Sequence, residues 1–293
     1  MNKVTEGELE QEFLEIWRRL VVAGATPLAV AGGQGLLLKQ NWLKRSGDQI
    51  LVPLDRWIDV NPRATKDFDL VVDLGLIADE MAQGRVTELL TAMDYQSTIP
   101  RWQFTKDLGG ARQVVVEFHA EVPDKGLPNV RTKGHHITHK PSLGESGIHG
   151  RANEEAAGCH LYSYIINLAE LQIPLPNPVT WSVMKLTAMA DMVAKAGKHQ
   201  DDGRKRRFFD GQAKKHASDV CRIMAMTSRA ESRTTARVID FLKDNPAFSK
   251  AADIAREYFS RDEGWGTLNT KSAWAVDDHA EMRAVLLSWF SGR

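Results

Sequence analysis

Apolar residues at Leu9, Phe13, Ile16, Trp17 and Leu20 recur at helical spacing, and they predict a first helix from about Glu6 to Ala23. Thr5 and Glu8 have the spacing of a capping box, and Gly24 stands where a glycine stop belongs. A short apolar run, Leu28 to Ala31, then meets Gly32 and Gly33 before a second helical pattern through Leu36, Leu37, Leu38 and Trp42. This order reads as strand, glycine turn, helix. Lys44 to Pro62 mixes Gly47, Pro53 and Pro62 with Ile50, Leu51 and Val52, which predicts a long loop carrying a short strand.

From Asp67 the run Asp-Phe-Asp-Leu-Val-Val-Asp predicts a strand, and a helical pattern follows from Ile77 to Met93. Ile99 to Phe104 and, more strongly, Val114 to Val122 predict further strands. Pro123 to Gly150 is rich in Gly, Pro and His without a sustained period, and reads as a long surface loop. The remainder is patterned as helices: Ala156 to Leu171, Trp181 to Ala194, His216 to Ser228, Ala236 to Leu242, Ala251 to Phe259 and Glu281 to Trp289. The prolines at 174, 176 and 178 mark a turn between the first two. The expected fold class is therefore α/β, with a mixed sheet in a domain over residues 1–150 and a helical domain over 151–293.

Bulk properties restrict the function classes. With 43% apolar residues in 293, the chain has material for two modest cores. Its formal net charge is zero, so affinity for a polyanion must come from local clustering. Cys159 and Cys221 follow no metal-ligand spacing and do not read as a disulfide framework, which fits a cytoplasmic location. No stretch approaches the roughly 20 apolar residues that span a bilayer, so no membrane partner is expected.

The chemistry concentrates in Arg63-Ala-Thr65-Lys-Asp67-Phe-Asp69. Residues two apart on a strand point the same way, so Asp67 and Asp69 project from one face while Phe68 and Leu70 enter the core. Two convergent carboxylates repel unless a proton or cation lies between them, and Mg²⁺ takes one or two carboxylates plus substrate phosphates. Gly32 and Gly33 add a turn whose backbone N–H groups can approach phosphate oxygens at a helix start. Arg63 and Thr65 flank the pair and either bind phosphate or hold the loop. An Asp-x-Asp on a strand is most often a solvated face, and a Gly-Gly before a helix is usually a tight turn; their order in the chain is what favours a site.

In these residues the chain resembles the DNA polymerase β-like nucleotidyltransferase superfamily, whose pattern is a Gly-Gly or Gly-Ser turn, a strand bearing Asp-x-Asp, and a third carboxylate on a later strand. It is most similar to the AbiEii-type branch, toxins of toxin–antitoxin and phage-defence systems, through Ala31-Gly32-Gly33, the Arg63 to Asp69 motif, Lys185 in Val-Met-Lys-Leu-Thr-Ala-Met, and Lys215-His216-Ala-Ser-Asp219-Val220. The glycine-to-Asp spacer is longer than the family's, and His216 stands where the family tends to have Asp.

The resemblance implies a polymerase β-like fold with catalysis in a cleft between the domains, and transfer of a nucleoside monophosphate from an NTP to an acceptor hydroxyl by one or two Mg²⁺ ions on Asp67, Asp69 and Glu117. Glu117, His119 and Glu121 share one strand face, so Glu121 is the other candidate for the third carboxylate, and His119 reads as a solvated neighbour. Lys185 would contact the nucleotide phosphates, or else snorkel as a surface lysine. Asp219 would orient Lys185 or touch the acceptor. The acceptor implied is RNA, a tRNA 3′ end, with a cognate antitoxin as partner. The rivals are a small-molecule nucleotidyltransferase and a degenerate nucleotide-binding module. Two further clusters carry less. Lys195 to Lys215 holds eight basic residues against Asp201, Asp202 and Asp210, enough to track an RNA backbone or merely to solvate a loop between helices. His135, His136 and His139 lack a Glu or Cys partner for zinc.

Overall fold

The computed structural model describes residues 6–58, 65–98, 101–109, 112–123 and 127–291. Its class is mixed α/β. Helix α1 (Glu6–Val22) ends at Gly24, whose φ of +73° is the left-handed stop that the sequence predicts; Thr5 of the expected capping box lies outside the described residues. Strand β1 (Leu28–Val30) and helix α2 (Gly32–Ser46) follow, then β2 (Asp67–Val72), α3 (Leu74–Ala78) and α4 (Glu80–Ala92). The single helix expected over 77–93 is broken because Asp79 caps α4, accepting from Ala82 N at 2.9 Å.

Strands β3 (Gln96–Ser97), β4 (Gln103–Gly109) and β5 (Arg112–Ala120) continue the sheet. The expected loop over 123–150 contains β6 (Val130–Lys133), β7 (His136–His139) and the start of β8 (Gly150–Ala152). The sheet order is β1-β2-β5-β8-β7-β6, with β4 also on β5 and β3 on β4. Pairings β2–β5 and β5–β8 are parallel and the others antiparallel, so the sheet is mixed. The helix expected over 156–171 is absent: β9 (Tyr164–Leu168) and β10 (Leu171–Leu175) form a hairpin there. It buries Ile166, Ile173 and Leu175, and β10 lies beside β1.

Chain contacts divide the molecule into two compact units, Met1–Leu38 with Arg63–Pro176 and Lys39–Pro62 with Asn177–Arg293, instead of a single cut at 150. The β9–β10 hairpin places residues up to 176 in the first unit. Residues 39–62 join the second because Leu51 and Val52 donate to Thr227 O and Ala225 O, and Trp57 packs edge-on against Trp274 at 4.9 Å.

In the first unit, Phe68, Leu70, Val116, Phe118 and Phe104 are buried on one sheet face. Phe13 of α1 meets Phe68 at 5.4 Å, and Phe104 meets Phe118 at 5.8 Å, both edge-on. The alternate positions of β2 and β5 therefore look to the opposite face.

The second unit is helical: α5 (Pro178–Lys198), α6 (Gly203–Ala225), α7 (Arg229–Leu242), α8 (Pro246–Phe259), α9 (Trp265–Thr270) and α10 (Val276–Trp289). Pro178 starts α5 behind the Asn177 cap, so the expected proline turn is a strand end and a helix entry. Helix α6 begins at Gly203, earlier than expected, and makes most of the Lys195–Lys215 run helical. Inside this unit Lys39 and Glu231 form a buried ion pair at 2.6 Å; Glu231 also closes a capping box with Ser228. No described helix is long and apolar enough to cross a membrane.

Candidate functional site

Parallel pairing of β2 and β5 sets Asp69 opposite Glu117 and Val71 opposite His119. With the core on one face, these polar side chains share the other. His119 Nε2 lies 3.4 Å from Asp69 Oδ1 and 3.7 Å from Glu117 Oε1. One ligand atom from each of the three falls within 4.8 Å of the others, the one such grouping of potential metal ligands among the described residues.

Arg151 of β8, paired with His119, reaches across to Glu117, with Nη1 at 2.6 Å from Oε1. Glu117 is thus held between an imidazole and a guanidinium. The glycine turn is built against Asp69. Gly32 has a φ of +63°, and a Cβ placed on it would overlap the Asp69 carboxylate. Ala31 N donates to Asp69 O at 2.9 Å, tying the start of α2 to β2. A helix start carries partial positive charge, so Asp69 lies where an anion is favoured.

The expected residues separate accordingly. Asp69 and Glu117 come together, and Gly32 adjoins them. Asp67 is exposed one step down the same face, opposite Val115 and outside the three-residue grouping. Glu121 lies past the end of β5 and accepts from Gly158 N at 3.4 Å, which leaves Glu117 as the carboxylate in register with Asp69. Thr65 Oγ1 accepts from Asp67 N at 3.2 Å, and a Cβ on Gly33 would stand 3.4 Å from the Thr65 side chain, so Thr65 braces the turn into β2. Arg63 lies outside the described residues.

Lys185 and Asp219 are in the second unit. They form a buried pair at 2.9 Å, with Arg222 Nη1 3.3 Å from the other Asp219 oxygen. Burial pushes the Asp219 carboxyl upward, but the Lys185 charge and hydrogen bond, with help from Arg222 and His216, hold it below the usual aspartate range. Lys185 is therefore not a snorkelling surface residue; it is buried against a carboxylate.

Two members of the cluster escape a reading of motifs. His119 is visible only as the residue two beyond Glu117 on the same face. Arg151 sits on a three-residue strand without a periodicity of its own. His136 and His149 approach to 3.3 Å through their Nδ1 atoms beside Trp102, and among the described residues they belong to no three-ligand grouping. Both cysteines are buried, which raises their thiols, that of Cys221 to about 11, and makes them poor nucleophiles.

Two carboxylate oxygens and an imidazole nitrogen suit a divalent cation. Carboxylates serve Mg²⁺ and Mn²⁺ alike, and the nitrogen donor shifts the balance toward Mn²⁺. Comparison with protein-family models, with curated proteins and with solved structures finds no match.

Proposed function

We propose that the first unit binds a divalent cation, Mg²⁺ or Mn²⁺, at Asp69, Glu117 and His119, and transfers a nucleoside monophosphate from an NTP to an acceptor hydroxyl. The observation that carries this reading is the register of β2 and β5, which puts the three donors together on the polar face at the start of α2. The cation would neutralise the triphosphate and acidify the acceptor hydroxyl. Gly32 lets the Asp69 carboxylate approach the helix start, where phosphate oxygens are also favoured. Asp67, one step away, is positioned to contribute to a second ion. A polymerase β-like fold, implied by the sequence resemblance, belongs to the same proposal.

RNA is the proposed acceptor. Helix α6 starts with six consecutive exposed residues, Gly203 to Phe208, so this end stands clear of its own unit's core. Arg204, Arg207, Phe208, Gly211 and Lys214 recur at helical spacing along one face, and Phe208 is 59% exposed. Cations flanking an exposed ring can hold phosphates and stack a base. Lys205 and Arg206 lie off this stripe, within 3.5 Å of Asp202 and 3.9 Å of Asp210. A single ring among cations is a poor fit to a membrane surface, which calls for a broad apolar face. A toxin role with a cognate antitoxin, implied by resemblance alone, completes the reading.

The test incubates purified protein with each α-labelled NTP, Mg²⁺ or Mn²⁺, and total RNA, following labelled product and pyrophosphate. Metal-dependent labelling that Asp69→Asn abolishes supports the reading. Absence of both products with every NTP and metal sinks it, and pyrophosphate release with small hydroxyl acceptors only would discard RNA.

A further inference from the structure

We propose that Arg151 alternates between two partners, serving as counter-ion to Glu117 in the metal-free protein and as a phosphate ligand once the cation has bound. The inference deepens the reading above and rests on its metal site. It starts from one oxygen atom. Glu117 Oε1 is 3.7 Å from His119 Nε2, facing the cluster, and the same oxygen is 2.6 Å from Arg151 Nη1. A cation held by Asp69, Glu117 and His119 and the guanidinium of Arg151 therefore compete for one donor atom.

The surroundings permit the exchange. Glu117 keeps 16% of its side-chain exposure, so its carboxylate is fixed by the strand, whereas Arg151 is 52% exposed on a long side chain. The register His119↔Arg151 keeps the arginine on the polar face in either state. Asp69 and Glu117 stand side by side on adjacent strands, and without a counter-charge their repulsion would disfavour this face. Arg151 supplies that charge in the metal-free state.

When the cation takes Glu117 Oε1, Arg151 loses its carboxylate partner beside the place where the NTP phosphates must lie. A guanidinium pairs with phosphate oxygens through parallel N–H donors, so the exchange turns an occupied arginine into a substrate ligand. Cation and nucleotide would then favour each other's binding in part through Arg151.

The test measures Mn²⁺ affinity by calorimetry or by the electron paramagnetic resonance of free Mn²⁺, on wild type, Arg151→Ala and Arg151→Lys, first without nucleotide and then with a non-hydrolysable NTP. Arg131→Ala, an exposed arginine on β6 that bonds Thr138, controls for loss of a charge. Removing a competing charge-assisted bond should tighten nucleotide-free Mn²⁺ binding by about three- to tenfold in Arg151→Ala, less in Arg151→Lys, and not at all in the control. Nucleotide affinity with Mn²⁺ present should fall by about tenfold in Arg151→Ala. Mn²⁺ binding that is unchanged or weaker in Arg151→Ala overturns this inference while leaving the metal site standing. No Mn²⁺ binding by wild type or variant, with or without nucleotide, removes the metal site and the inference together.

Discussion

Asp69 and Glu117, 48 positions apart in the chain, stand directly opposite each other in the register of two parallel strands. From that pairing we expect Asp69→Asn and Glu117→Gln each to weaken divalent-cation binding by tenfold or more, since each removes a charged donor from a three-donor set. Asp67→Asn should keep tight binding of one ion and lose turnover, because Asp67 lies outside the grouping but on its face. Metal titration with transfer assays separates the cases. Full cation affinity in Asp69→Asn would contradict the assignment.

Gly32→Ala should cost more than a left-handed alanine usually does. Gly47 has a similar φ of +70° with nothing within 4 Å of a built Cβ, so Gly47→Ala carries the backbone strain alone, about 1 kcal/mol. At Gly32 the new methyl must also displace the Asp69 carboxylate, adding roughly 1–3 kcal/mol and loosening the metal site. Urea denaturation of both variants, with cation titration of the first, measures the difference.

Asp219→Ala leaves Lys185 buried opposite no carboxylate and should destabilise the protein by about 3 kcal/mol near neutral pH. Lys185→Ala should cost less, because Arg222 still faces Asp219. The folded carboxyl titrates below the ordinary value of 3.8, so its contribution is present above that value and fades as pH falls from it toward the folded one. Wild type and Asp219→Ala should therefore converge in stability as the pH is lowered below about 3.8.

The stripe on α6 makes separable predictions for single-stranded RNA, measured by fluorescence anisotropy over a range of salt. Arg204→Ala, Arg207→Ala and Lys214→Ala combined should reduce the slope of log affinity against log salt by about 2, at roughly 0.7 per lost phosphate contact. Phe208→Ala should weaken binding by about fivefold with the slope unchanged, since stacking releases no counterions. Lys205→Ala with Arg206→Ala, off the stripe, should do less than the first set. Equal effects per charge removed in the two sets would assign binding to diffuse charge.

How much of this was legible in the sequence depended on period and on turn residues. Alternation in Asp67–Val72 and in Val114–Ala120 was enough to put Asp69 and Glu117 on polar faces, because burial of Phe68, Leu70, Val116 and Phe118 fixes the phase. The β9–β10 hairpin reads as a helix in the sequence for a specific reason. Its two-residue turn is Ala169-Glu170, at φ +50° and +66°, where Gly or Asn ordinarily announces the reversal. Leu161, Ile165, Leu168 and Leu171 meanwhile imitate a helical stripe. Strands β6, β7 and β8, of three or four residues each, are too short for a period to emerge, so Arg151 was invisible as a neighbour of His119.

The parallel register has one more consequence. A slip of a single residue between β2 and β5 would turn Glu117 and His119 into the interior and push Val116 and Phe118 into water, which the packing of Phe13, Phe68 and Phe104 forbids. The aromatic interior thus acts as the ruler of the polar face: ligand spacing is inherited from side chains that never touch a ligand. Substitutions that keep the volume of those rings are free to drift, whereas a one-residue insertion between Glu117 and His119 would send the two to opposite faces and break the donor set while leaving its composition intact.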